Sequence, residues 1–320
     1  MHSRLQCRPF PTAVPTTFMH ARILRYLDEV VRRGSIRKAA ESLHVAPTAI
    51  NRQILDLEAE LGAPVFDRIN KRLRLTPLGE MVLAHVRQTL REHEALRERI
   101  EEFKGARRGE VTVAVTAGLA GSLMPSLTHE FHQRYPGIVV RVVDLPIADI
   151  VLAVEQGDAD LGLGYDLPAA PALRILGTSD WQIGAVVPPG HELAAQPSVL
   201  LSECVGYPLV LPAPSLSIRA ILDDAFARHA IDVTPAAEST SMALIQRLVM
   251  LGSGIALLNP LDIMDERERG ALVLVPLRDR YLRRQTLALV ARAQTVLSPA
   301  AELMAADIGE RLAALFAQGH

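Results

Sequence analysis

Cysteine is scarce: Cys7 and Cys204 are the two in 320 residues, far apart and in no CxxC pair. That excludes a disulfide framework and a thiolate zinc site, and it suits a reducing compartment. The ten histidines form neither HxxxH nor HExxH, and the carboxylates make no catalytic pair visible in the sequence. No catalytic residue, metal or cofactor is expected. Aromatic residues are 4% of the chain, and no apolar stretch approaches the roughly 18 residues that cross a bilayer. The mildly basic start, with Pro9, Pro11 and Pro15, lacks the apolar centre of a secretion signal. A cytoplasmic protein with no membrane partner is the expectation.

The composition that remains is ordinary for globular proteins, 49% hydrophobic and 22% charged, in a length that suits two or three folded units. The net charge of −2 hides an asymmetry: residues 1–110 hold 20 Lys+Arg against 14 Asp+Glu, and residues 111–320 hold 14 against 22. A basic head on an acidic remainder suits a polyanion bound by the head alone, although uneven surface charge gives the same count.

Residues 1–18 have no hydrophobic period and read as a disordered tail, with Met19 a candidate start. Ile23, Leu24, Leu27, Val30 and Val31 recur at helical spacing, and Gly34 ends that helix. Ser35 is expected to cap a second helix through Ala39, Ala40 and Leu43, and Pro47 to open a third. Ile50, Ile54, Leu57 and Leu61 form the apolar face of this third helix, which leaves Thr48, Asn51, Arg52 and Asp56 on the other side. Two short extended runs around Asn70-Lys71 make a basic β wing. Thr76-Pro77 then start a helix to about Phe103, in which Val82, Val86, Thr89, His93, Leu96, Ile100 and Phe103 are spaced four-three. Such a seam wants a partner helix, unless it packs on its own domain; Gly105 to Gly109 reads as a linker.

From Val111 the texture changes. Apolar runs starting at Val111, Ile138, Leu161, Ile183, Leu209, Ile255, Leu272 and Thr286 alternate with amphipathic helices over 123–135, 147–156, 217–229, 241–251 and 299–316. Near-continuous apolar strands followed by helices imply an α/β fold with parallel sheets covered on both faces. Gly252-Ser253-Gly254 follows a helix and is too short for a nucleotide loop, so it reads as a C-cap turn.

The most specific segment runs from Gly34 to Ile54, where Ala39 and Ala40 let two helices approach closely and a turn presents the third. Together with Leu57-Glu58, Leu61-Gly62, Leu73-Arg74-Leu75-Thr76 and Gly79, it resembles the amino-terminal domain of LysR-type transcriptional regulators. The resemblance is strong over 19 to about 104, and the rest agrees in length and order with that family's effector domain. It implies an α/β protein with an N-terminal all-α winged helix-turn-helix (19–76), a long dimerising linker helix and hinge (77–108), and a two-lobed, periplasmic-binding-protein-like effector domain. One lobe would take 109–182 plus 284–320 and the other 183–283. Ala46-Pro47 stand where many members have Ser-Gln, which puts more of the base reading on Thr48, Asn51 and Arg52. Arg68, Lys71 and Arg72 on the wing suit phosphates, and Ser35 and Pro47 complete the expected DNA-binding set.

Ligands of open α/β sheets sit beyond strand carboxyl ends, so Thr116, Ala117, Gly118, Ser122, Leu145, Pro146, Ile147, Ser215, Ser217 and Arg219 should border the cleft. Hydroxyls at helix starts and Arg219 point to a carboxylate-bearing effector, although Ser and Thr also serve merely as caps, and the apolar Leu145 and Ile147 leave room for a largely hydrophobic ligand. The resemblance further implies operator or promoter duplex DNA as partner, a homodimer or homotetramer, and RNA polymerase if the regulator activates. The rival reading is a solute-binding or enzymatic α/β protein, which would need the secretion signal or catalytic constellation that is missing here. Cys204 reads as an inert thiol.

Overall fold

The computed structural model describes residues 22–69, 72–103 and 108–318; the expected tail, Met19, Cys7 and Lys71 lie outside them. The chain divides into two compact units, 1–93 and 94–320.

The first unit holds α1 (Arg22–Arg33), α2 (Ile36–Ser42), α3 (Pro47–Leu61), β1 (Phe66–Ile69), β2 (Arg72–Leu75) and the start of α4 (Pro77–Phe103). Gly34 ends α1 at φ +64 and Gly62 ends α3 at φ +71, left-handed conformations that glycine adopts without steric cost. Ala39 and Ala40 are buried at the α1–α2 contact, and with Leu27, Val30, Ile50, Ile54, Val65 and Val86 they form the core. β1 and β2 pair antiparallel as the expected wing, Phe66 opposite Leu75 and Ile69 opposite Arg72. Three expectations need correction. Ser35 occupies the N-cap of α2, but its side chain accepts no capping bond. Leu61 is 41% exposed because the α3 apolar stripe runs past the end of the core. The α4 seam is divided: Val82 and Val86 pack into their own unit's core, whereas Leu96 and Ile100 are 45% and 43% exposed.

The second unit begins with β3 (Gly109–Val115), α5 (Ala117–Gly121), α6 (Leu123–Arg134), β4 (Ile138–Asp144), α7 (Ile147–Gln156), β5 (Leu161–Tyr165) and β6 (Leu173–Trp181). It continues with β7 (Gly184–Val187), α8 (Leu201–Cys204), β8 (Leu209–Pro212), α9 (Ser217–Arg228), β9 (Ala237–Ser239), α10 (Met242–Met250), β10 (Ile255–Leu258), α11 (Met264–Glu268), β11 (Val273–Pro276), β12 (Gln285–Arg292) and α12 (Pro299–Gln318). Two five-stranded sheets result, ordered β4-β3-β5-β12-β6 and β11-β7-β10-β8-β9. Each has its own core, one around Phe131, Leu163 and Met304, the other around Leu201, Leu222 and Leu257.

The sheets are mixed, which corrects the expected all-parallel arrangement. β3 runs parallel to β4 and β5, but β12 is antiparallel to β5 and β6, and β7 is antiparallel to β10 and β11. The reason is the chain path. A strand delivered from the other lobe enters at the cleft end and runs away from it, opposite to the strands that run toward it. Gln285, first in β12, accordingly pairs with Trp181, last in β6.

Candidate functional site

Burial of Ile50 and Ile54 fixes the rotation of α3 and turns its other face outward. Pro47 holds the first helical position and is exposed, as are Thr48 and Arg52; Asn51 is half-buried. The Arg52 side chain is 84% exposed and only loosely paired with Asp56, at 3.9 Å, so it is free to leave that partner. Arg68 and Arg72 lie in the wing strands, with their side chains outside the described residues. The wing is tied to the helices by Thr76. Its hydroxyl donates to Pro64 O at 2.8 Å and accepts from Gly79 N–H at 2.9 Å, while Glu58 Oε1 accepts from Val65 N–H at 2.8 Å.

In the second unit, Thr116 follows β3 and its N–H donates to Leu163 O. Its Oγ1 is buried without a hydrogen-bond partner. Ala117 is half-buried, Leu145 packs in a small apolar cluster with Ile150, Ile147 is half-buried, and Pro146 and Ser215 are exposed. Two residues expected at the cleft are already engaged. Ser122 is 1% exposed and its hydroxyl closes on Gly118 O at 2.7 Å, as helical serines do. Arg219 is held by Asp223 at 2.7 Å, by Glu238 and by Pro212 O at 2.9 Å, which removes the free positive charge assigned to it.

Apart from Ser217 and Gly118, what joins the two lobes is a set of residues the sequence reading did not name. Gln285 of β12 donates from Nε2 to Asp166 Oδ2 at 3.1 Å and to Ser217 Oγ at 3.3 Å, and its Oε1 accepts from Asn259 Nδ2 across the lobes. Asp262 lies in the turn of 3-10 helix Pro260–Ile263 after β10, 3% exposed, and faces Gly118 so closely that a Cβ added there would meet its Oδ1 at 2.1 Å. Burial pushes the Asp262 carboxyl up to about 7, with a backbone hydrogen bond from Asn259 pulling the other way. The Tyr165 hydroxyl, also raised by burial and by the charge of Asp262, is buried and unpartnered, as is Asn259 Oδ1. The missed signal was Asn259 and Asp262 interrupting the apolar run 255–264, because a polar residue in such a run needs a reason. Cys204 is buried, and burial with Asp279 and Glu203 nearby pushes its thiol up to about 12, consistent with the inert reading.

A helix-turn-helix with a wing, followed by a long helix and a two-lobed α/β body, makes this a DNA-binding transcriptional regulator controlled by a small-molecule effector. Family models bear this out: "Bacterial regulatory helix-turn-helix protein, lysR family" matches residues 21–80 and "LysR substrate binding domain" matches 104–313. The chain belongs to the LysR family. The transcriptional dual regulator GltC of Bacillus subtilis is 30% identical over 286 residues, covering 88% of this chain and 94% of that protein. The regulator CysB of Burkholderia cenocepacia is 28% identical over 261 residues, covering 81% and 83%. Full-length OxyR from Pseudomonas aeruginosa shares the fold with a TM-score of 0.69 at 21% identity, covering 91% of this chain and 95% of that one. CbnR bound to its target DNA gives 0.58 at 20% identity, covering 92% and 99%.

Proposed function

We propose that two copies pair through the distal part of α4 and read successive half-sites with α3, under control of an effector bound between Thr116–Gly118 on one lobe and Ser217 with Asp262 on the other. The observation that carries the reading is the outward face of α3, where Thr48, Asn51 and a nearly free Arg52 follow an exposed Pro47. CbnR is a family member whose DNA complex supports the same use of the head here. Leu96 and Ile100, exposed on one helix, supply an apolar stripe for the partner copy. Among the described residues no helix is long and apolar enough to cross a membrane, in keeping with a cytoplasmic regulator that reaches DNA and, where it activates, RNA polymerase.

Arg52→Ala tests the DNA reading. It should weaken operator binding by about 1 to 3 kcal/mol and relax discrimination at one base pair, because a bidentate contact to guanine is lost. Competition binding with operator and random duplex decides it: equal losses on both would assign Arg52 to phosphate.

The effector class follows from the lobe junction. With Arg219 neutralised and Asp262 facing Gly118, a carboxylate effector meets no free cation there among the described residues, and the buried, unsatisfied groups Thr116 Oγ1, Tyr165 OH and Asn259 Oδ1 suit a polar ligand carrying hydroxyl or amino groups. Thr116→Val keeps the shape and removes a buried hydroxyl that has no partner. The apo protein should therefore melt at or above the wild-type temperature, since an unsatisfied buried group costs about 1 to 3 kcal/mol. Ligands that stabilise the wild type through the cleft should lose affinity by a similar amount. Thermal melts with and without ligand separate the two effects, and a less stable apo variant would make Thr116 a folding residue.

A further inference from the structure

The two lobes also share a cavity whose lining includes none of Thr116, Ser217 and Tyr165. It is a cavity of about 580 Å³, within the usual range for small-molecule sites. Both crossovers line it, Trp181 and Gln182 on one and Arg284 on the other, together with α11, β11 and the end of α12. Its apolar wall comes from Trp181, Leu261, Met264 and Phe316, with Trp181 and Phe316 set edge to face at 6.1 Å. Trp181 is 6% exposed and has its indole N–H satisfied by Ser179 Oγ at 2.8 Å, so it presents a rigid apolar face.

Charge of both signs surrounds this apolar wall. Arg267, Arg284 and Glu268 line the cavity, and none of them forms an ion pair or side-chain hydrogen bond among the described residues. Asp180, also at the cavity, accepts from Thr286 Oγ1 at 2.7 Å and forms no ion pair among the described residues. Opposite charges that share a cavity without neutralising one another are left for a ligand that carries both.

We propose that this hinge cavity is a second ligand site, separate from the effector cleft, and that it takes a zwitterion with a large apolar side chain, the chemistry of a free apolar amino acid. The carboxylate pairs with Arg267 and Arg284, the ammonium with Glu268 and Asp180, and the side chain lies against Trp181 and Phe316. Because both crossovers line the site, occupancy holds the lobes at one relative angle and so biases the response to the effector in the cleft.

Isothermal titration of the full-length protein with L-phenylalanine, hydrocinnamate and phenethylamine tests this. L-phenylalanine should bind saturably and about ten-fold more tightly than either singly charged analogue, the size of one charge-assisted hydrogen bond. Arg284→Gln should abolish its advantage over phenethylamine, and Glu268→Gln its advantage over hydrocinnamate. Both side chains are exposed, and far-ultraviolet circular dichroism verifies that the variants fold. Thr116→Val should leave the affinity unchanged. No saturable binding by any of the three, equal binding of all three, or loss of L-phenylalanine binding in Thr116→Val instead of in Arg284→Gln would each overturn the proposal. The last outcome alone would leave the effector cleft as the binding place.

Discussion

Gly79→Ala is expected to unfold the DNA-binding head while the two-lobed body keeps its structure. A Cβ at position 79 would lie 2.1 Å from Val65 O and 3.0 Å from Leu75 Cδ2, and the nearer atom is backbone. That carbonyl accepts from both Thr76 N–H and the Thr76 hydroxyl, so moving it breaks the knot that ties the wing to α4. Overpacking together with a lost buried hydrogen bond costs on the order of 3 kcal/mol, a large share of the stability of so small a unit. Amide hydrogen exchange should show loss of protection over 22–76 with 111–316 unchanged, and operator binding should fall by about a hundred-fold. Gly121→Ala is the matched control, since nothing lies within 4 Å of its added Cβ. Equal protection in Gly79→Ala and wild type would mean that the helix shifts to accept the methyl.

Local chemistry carried most of the architecture. Gly34, Pro47, Gly62 and the Thr76-Pro77 pair each act on a few bonds of their own neighbourhood, so they can be read where they stand, and the four helices of the head begin and end near them. The Ile255–Leu258 strand and the Ile147–Gln156 helix fall where their periodicity put them. Strand direction is different, because it depends on which lobe the chain arrives from. β6 was missed since Leu173–Trp181 carries Ile175 and Leu176 on an exposed edge and lacks an apolar run. β9 is three residues long and offers no pattern.

The candidate sites divide in the same way. The α3 face was legible because helical spacing alone separates Ile50 and Ile54 from Thr48 and Arg52. The polar residues that join the lobes were not, because they come from β5 and the turn after it, the turn after β10, and β12, 119 positions apart in the case of Asp166 and Gln285. Arg219 shows the converse. Its charge is visible in the sequence, but Asp223 is one turn away and Glu238 is brought in by β9, and only the pairing decides whether that charge is available.

Asp262→Asn should remove most of a downward slope of stability with pH between about 4 and 7. An unfolded aspartate loses its proton near 3.9, whereas in the folded protein burial holds Asp262 protonated up to about 7. Over that window the native state binds the extra proton, so stability falls as pH rises and levels off above the folded value. Roughly three pKa units correspond to on the order of 4 kcal/mol. The side chain cannot escape by a small rearrangement, because Gly118 lies against Oδ1 and the Tyr165 hydroxyl is close enough to feel its charge. Asparagine keeps the shape, stays neutral and can still accept from the Asn259 backbone. Near or below the unfolded value of about 3.9 the two proteins should unfold at similar urea concentrations, the variant should already be ahead by about pH 5, and its lead should be largest near pH 8. Asp144 and Asp307, both raised by burial, contribute slopes of the same sign to both proteins, so the difference curve isolates Asp262. Parallel curves from pH 5 to 8 would mean that the junction opens and hydrates the carboxylate at little cost, and scattering profiles of the wild type across that range would then show the lobes separating.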